Sequence, residues 1–316
     1  RSRGLGDVYK RQTLRYAISW MREQGYPLTA LFGIMEYYHR FGYRTFMGEH
    51  TLTMHLRNLS RVEAEELEWE LSDDPSFAAG EIAGIYESVN SAWPCARVRG
   101  GSWKGFKKGV SWEHPAKPLV LKSSGRVVAY AALERWPAPE ELLVAEVGAI
   151  DHDLSLYGSL LKSLYEIALR EHKSHVTFHV PPNHPFARLA KGYGCKTESF
   201  YPWSGGGMAR VLRLLHLLQQ IERELERRSR GIEGDVTLRV DGEEVTIRCR
   251  DGSVKIEEGC RSSNIVELGA GEAAQLITGY RKIEEMVPHV SARGNVRFCA
   301  ELFRGCEPYV WQPDRW

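Results

Sequence analysis

The chain has 316 residues, 43% of them hydrophobic and 26% charged, with a formal net charge of +1. This is ordinary for a soluble protein of two or three domains, and no apolar run is long enough to make a membrane-spanning helix. The near-neutral balance argues neither for nor against a nucleic-acid partner.

Cys95, Cys195, Cys249, Cys260, Cys299 and Cys306 are scattered without metal-ligand spacing, so free thiols and a reducing, cytoplasmic setting are expected. Residues 2–12 read SRGLGDVYKRQ, the translation of a common transposase sequencing adapter through one open frame. Residues 1–12 are therefore expected to be adapter-derived, with the natural chain starting further upstream.

Residues 13–24 carry Leu14, Ala17, Ile18 and Met21 at helical spacing, and Gly25 closes that helix. Leu28, Ala30 and Phe32 alternate as a buried strand that Gly33 ends. Residues 36–41 then read as a short helix stopped by Gly42. Tyr38 falls on its first turn at the end of a strand, where sheet enzymes hold ligands. Residues 50–58 alternate as a last strand of this unit, and 60–66 are a polar linker.

A second unit is expected from about 67 to 203. It holds a helix at 77–92, a hairpin of 118–121 and 126–136 around Ser124-Gly125, and a strand at 141–150. An amphipathic helix follows at 154–170, with Leu156, Leu160, Leu161, Leu164 and Ile167 on one face. A strand at 175–180 and a short helix at 185–194 complete it. The order helix, strand, short helix, glycine repeats that of 13–42. Aligning Gly194 with Gly42 puts Ala190 where Tyr38 stands, and 151–158 has one glycine and no arginine. The second copy is thus expected to be structural.

The third unit opens with a long helix at 211–228, its apolar face formed by Leu212, Leu215, Leu218, Ile221 and Leu225. Strands at 235–240 and 245–250 meet at Asp241-Gly242, a strong hairpin signal. Strands at 253–257 and 264–268 and a helix at 271–279 follow, and the chain ends CAELFRGCEPYVWQPDRW. The fold class is α+β.

Residues Tyr37, Tyr38, Arg40, Phe41, Gly42 and Tyr43 resemble the F-Y-x-R-x-G-F/Y motif of the GNAT N-acetyltransferases. The third unit, with its D-G hairpin and terminal L-F…P-Y-x-W-x-x-D-x-W, resembles a sterol-carrier-protein-like domain. Together the units resemble the Eis-type (enhanced intracellular survival) acetyltransferases. The division implied is 13–60 for the C-terminal part of a first GNAT domain, 61–207 for a second, degenerate one, and 208–316 for the sterol-carrier-like domain.

The resemblance implies transfer of an acetyl group from acetyl-CoA, a co-substrate, to a primary amine such as an aminoglycoside, polyamine or lysine. It implies Tyr38 as general acid toward the leaving thiolate, and a phenol with an ordinary pKa of about 10 suits that role. It assigns the α-carboxylate of Trp316 as base. It lays the cofactor against Phe32, Gly33, Ile34, Tyr38 and Arg40. No metal, nucleic acid or membrane is implied, and a homo-oligomer, by resemblance a hexamer, is. The competing reading of Tyr37 and Tyr38 is a pair of half-buried aromatics with wet hydroxyls. The competing function is a non-catalytic lipid or small-molecule binder with a vestigial acyltransferase half.

Arg1, Gly4 and Gly6 imitate the family's R-x-x-G-x-G loop, which wraps the CoA pyrophosphate. Their distance from Gly25 is too long for that loop, and none is expected there. The true loop and the oxyanion donors would then lie upstream, leaving this fragment without part of its catalytic apparatus. His172, His175, His179 and His184 sit close in sequence without tetrahedral spacing and are expected on the surface. Trp103, Lys104, Phe106, Lys107 and Lys108 are expected to form a solvated loop or substrate-tunnel wall. Residues 222–230 are expected to be a solvated helix end.

Overall fold

A computed structural model describes residues 2–91, 93–136 and 138–316. Helix α1 (Ser2–Glu23) leads into strand β1 (Leu28–Gly33), a 3-10 turn at Tyr38–Phe41, β2 (Arg44–Thr45), β3 (Glu49–His55), α2 (Leu56–Leu59) and β4 (Glu68–Leu71). Then come α3 (Ala79–Asn90), β5 (Lys117–Ser123), β6 (Arg126–Leu133), β7 (Glu141–Ala149), α4 (Leu154–Arg170), β8 (His175–Phe178), α5 (Pro185–Tyr193), β9 (Lys196–Phe200) and β10 (Gly206–Val211). The remainder is α6 (Leu214–Gln220), α7 (Glu222–Ser229), β11 (Gly234–Val240), β12 (Glu243–Arg250), β13 (Ser253–Glu258), β14 (Ile265–Leu268), α8 (Ala270–Thr278), α9 (Ile283–Met286), β15 (Ser291–Arg293) and α10 (Arg297–Leu302). Among the described residues no helix is long and apolar enough to cross a membrane.

The chain divides into two units, not at 60 and 207 as expected. One combines Arg1–Gly48 with Pro202–Pro308, and the other Glu49–Tyr201 with Tyr309–Trp316. The physical reason is strand pairing. β3, expected to finish the first unit, lies between β8 and β9 in the seven-stranded sheet β4-β5-β6-β7-β8-β3-β9. β10, for which no strand was expected and whose last residue, Val211, was expected to open a helix, lies between β1 and β2 in a three-stranded sheet. The last eight residues, expected to belong with the third unit, belong with the seven-stranded sheet.

In the first unit, the sheet β13-β12-β11-β14-β15 is built around the Asp241-Gly242 hairpin. Val236, Leu238, Val245 and Ile247 share one face and are fully buried under α6 and α10, each contributing about 1.5–3 kcal/mol. Its other face carries an ion-pair ladder, with Arg239 to Glu244 at 2.6 Å and Arg248 to Glu257 at 3.5 Å. The expected 211–228 helix is two helices. Val211 stays in β10, α6 starts at Leu214, and the helix breaks at Ile221, where φ is −102° and ψ 14°. The N–H groups of Leu214 and Leu215 both donate to the Glu243 carboxylate at 2.9 Å, which caps α6 from the neighbouring strand.

In the second unit, α4 is the expected amphipathic helix, with Leu160, Leu161 and Leu164 fully buried. Asp153 caps it, accepting from Ser155 N at 2.7 Å and Leu156 N at 3.4 Å. The expected 77–92 helix is α3, and its last expected residue, Ala92, lies outside the described residues. The order helix, strand, short helix, glycine does recur, with α4, β8, α5 and Gly194 following the pattern of α1, β1, the 3-10 turn and Gly42.

Candidate functional site

The 31–43 stretch folds as strand, loop, 3-10 turn and glycine, all within the first unit. The short helix expected at 36–41 is only the 3-10 turn Tyr38–Phe41. Glu36 has a left-handed φ of 58°, so the helical path cannot begin there, and the Tyr37 side chain at the N-cap position makes no capping hydrogen bond. Gly42 ends it at φ 77°, with its N–H donating to His39 O at 3.1 Å.

Gly33 is bare because Tyr38 needs the space. A Cβ there would lie 2.7 Å from Tyr38 Cδ2 and 2.8 Å from Leu31 Cδ1. The Tyr38 ring therefore lies across the end of β1. It meets Tyr37 edge-on at 5.0 Å and Tyr43 at 6.1 Å. Phe41, Tyr43 and Met208 form the core beneath, with Leu14, Ile18, Leu31, Tyr37 and Tyr38 packed around it. Burial raises the Tyr43 pKa, so that phenol stays protonated and shares a 3.3 Å hydrogen bond with Thr29 Oγ1. The Tyr37 hydroxyl is buried and makes no hydrogen bond among the described residues.

Of the cofactor-binding residues expected from sequence, Phe32, Gly33 and Tyr38 are half-buried, and Ile34 and Arg40 are exposed. Gly33 serves the Tyr38 ring directly. Trp316, the expected base, is half exposed at 51% and lies in the other unit. Gly4 and Gly6 are helical within α1, so they form no phosphate-wrapping loop, and Arg1 lies outside the described residues.

Sequence reading missed the groups that hold this turn. Arg210 of β10 donates through Nη1 to Phe41 O at 2.5 Å and through Nη2 to Asp241 Oδ2 at 2.9 Å. Arg44 pairs with Glu272 of α8 at 2.8 Å, and Gln275 of the same helix donates to Thr45 O at 2.6 Å. Ser204 Oγ accepts from Glu36 N at 3.1 Å and lies 3.3 Å from His39 Nδ1. No local spacing marks Ser204, Arg210, Glu272 and Gln275, because each reaches the 36–45 stretch from more than 150 positions along the chain.

The clustered histidines and the Trp103–Lys108 stretch fall in the second unit. Among the described residues no group of three or more His, Cys, Asp or Glu is placed to hold a metal. His172 is exposed, but His184 is only 1% exposed, contrary to the surface position expected for it. α5 starts immediately after it, and its Nδ1 accepts from Phe186 N at 3.2 Å. Phe106, expected in a solvated loop or a substrate-tunnel wall, is buried, which rules out the solvated loop for it, and with Trp103 it flanks Arg99.

No family model matches the chain, and no curated protein matches it. Solved structures do. A conserved Enterococcus faecalis V583 protein described as a probable N-acyltransferase aligns with TM-score 0.72 at 14% identity, over 96% of this chain and 76% of its own. A GCN5-related N-acetyltransferase from Anabaena variabilis ATCC 29413 gives TM-score 0.71 at 12% identity, over 96% and 76%. Eis1 from Mycobacterium abscessus gives 0.57 at 14%, over 95% and 75%. At these identities the likeness is one of fold: the chain has a mixed α+β fold shared with solved N-acetyltransferases.

Proposed function

We propose that the protein is an acetyl-CoA-dependent N-acetyltransferase of the Eis type, acting on a primary amine. The observation that carries this reading is the Tyr38 phenol. It is half-buried over a bare glycine at the end of β1, on a turn whose last carbonyl is held by Arg210. The unsatisfied Tyr37 hydroxyl beside it fits a polar ligand. Acetyl-CoA supplies the thioester. Tyr38 gives its proton to the leaving sulfur as the amine nitrogen bonds to the acetyl carbon and the carbon–sulfur bond breaks. The Trp316 carboxylate takes the proton that the amine loses. Phe32, Gly33, Ile34 and Arg40 border the co-substrate.

The five-stranded sheet of the first unit is read as the sterol-carrier-like part, and the seven-stranded sheet as the degenerate GNAT-like part. The filled inner face of the five-stranded sheet favours a structural role for it over a lipid carrier's. A homo-oligomer is part of the reading and is checked by light scattering.

The test uses acetyl-CoA with a panel of polyamines, lysine peptides and aminoglycosides. Tyr38→Phe lowers kcat by roughly 10²–10⁴-fold with the fold intact. Residues added after Trp316 lower it too, with a different pH profile, because one change removes the acid and the other moves the base. Unaltered turnover in both variants removes these residues from the mechanism.

A further inference from the structure

β7 and β8 run parallel and pair only from Glu141↔His175 to Val144↔Phe178. β7 then continues to Ala149 against β6 alone, while the chain after β8 turns away through His179 toward α5. Two parallel strands parting at their carboxyl ends make the crevice where α/β sheets take ligands. Here the crevice is filled by residues 309–315 of the same chain.

The fit has the features of a bound ligand. Tyr309 donates its hydroxyl to His179 O at 2.9 Å, and Gln312 donates to His179 Nδ1 at 3.0 Å. Trp311 donates through Nε1 to Asn90 Oδ1 at 2.9 Å. Asp314 accepts from Arg99 Nη2 at 3.0 Å, and the same guanidinium holds Glu146 of β7 through both of its terminal nitrogens. Tyr309, Trp311 and Asp314 are each at most 2% exposed. The match is incomplete on the crevice side. His184 Nδ1 accepts a hydrogen bond, so its Nε2 carries the proton, yet Nε2 is buried beside Trp311 with no hydrogen-bond partner among the described residues. A second place for a ligand is also closed, because Asp153 takes the free N–H groups at the start of α4, where an anion would otherwise sit.

We propose that the second unit is a receptor for the chain's own 309–315 segment, held as a separable peptide ligand in the crevice that a small-molecule ligand would otherwise take. The segment contributes two aromatic anchors and one carboxylate, and the receptor contributes the buried cation Arg99. The unit thereby presents Trp316, the exposed residue that follows, in a fixed place. This inference does not depend on the acetyltransferase reading.

The test is carboxypeptidase trimming of the full 316-residue chain, followed by mass spectrometry and far-UV circular dichroism. The unaltered chain loses Trp316 and stops. Asp314→Asn weakens a charge-assisted bond, and trimming through 309 accelerates by about 10–100-fold while the dichroism of the trimmed chain is kept. Tyr309→Phe, a milder change, accelerates it roughly fivefold. A free peptide of sequence 309–316, in excess, captures the opened crevice and speeds trimming of the unaltered chain, and a scrambled peptide does not. The proposal is overturned if trimming of either variant follows global unfolding, with the same urea dependence as the dichroism. It is equally overturned if the peptide acts no better than its scramble.

Discussion

Arg210 reaches the carbonyl oxygen of Phe41 at 2.5 Å from a position 169 residues further along the chain. The bond ends the 3-10 turn that carries Tyr38. A Cβ on Gly42 would lie 3.2 Å from the same Nη1, so glycine and guanidinium share one tight space. Removing the cation as Arg210→Ala leaves that carbonyl without its charged donor and costs about 1.5–3 kcal/mol. Arg210→Lys recovers only part of this, because an ammonium cannot serve Phe41 and Asp241 with a planar fork. Urea denaturation measures both. A loss within the error of the unaltered chain would show that the turn holds itself.

Gly33→Ala separates space from strain at the same site. The added methyl must displace the Tyr38 ring or Leu31, and overpacking of this kind costs roughly 1–3 kcal/mol. The expected readout is a fall in kcat like that of Tyr38→Phe, with a smaller loss of thermal stability than a core truncation gives. Full turnover in Gly33→Ala would mean that the ring position does not matter.

In the second unit, burial works against the charge of Arg99, and Glu146 and Asp314 more than offset it. The Tyr86 ring covers the guanidinium at 3.7 Å. Arg99→Met leaves two buried carboxylates without their cation and is expected to cost about 3–5 kcal/mol. Combining it with Glu146→Gln and Asp314→Asn recovers much of that loss, since a fully neutral set needs no cation. Equal instability of the single and triple variants, in urea melts at neutral pH, contradicts this account.

Burial pushes the His184 pKa down to about 3, with His152 alongside adding to the shift. Between that value and the unfolded imidazole's pKa near 6.5, the unfolded chain binds a proton that the folded chain does not. Its stabilising contribution is therefore present above pH 6.5 and is lost as pH falls, by up to about 1.4 kcal/mol per pH unit. His179, lowered to about 4 chiefly by burial, acts in the same direction. Glu146, raised by burial, acts in the opposite direction above its ordinary value. The His184 share is thus read as a difference: urea midpoints between pH 7 and pH 5 fall less steeply in His184→Asn than in the unaltered chain. Parallel slopes rule out the assignment.

Local chemistry was legible and partner choice was not. The Asp241-Gly242 turn, the amphipathic face of α4 and the stop at Gly42 are written in consecutive residues, and each stands where its pattern put it. β9 is exposed at all five positions and β10 opens on glycines, so neither shows a hydrophobic period. β3 alternates clearly, but alternation names a face and not a neighbour. At the candidate site, Gly42 was visible because a turn end needs it, and Tyr38 because it stands with Arg40 and Gly42 in a recognisable local motif. Arg210, Glu272 and Gln275 were invisible because they act from distant elements.

The interleaving of strands sets a timetable for the nascent chain. β1 and β2 have no strand between them until β10 leaves the ribosome, more than 150 residues after β2. β3 has to wait for β8 and β9 in the same way. Domains usually complete themselves in the order in which they are translated, but neither unit of this chain can. Pairing over such sequence separations is slow. A stalled chain ending near residue 170, with β8, β9 and β10 still to be made, would expose two unfinished sheets at once, a strong substrate for chaperones.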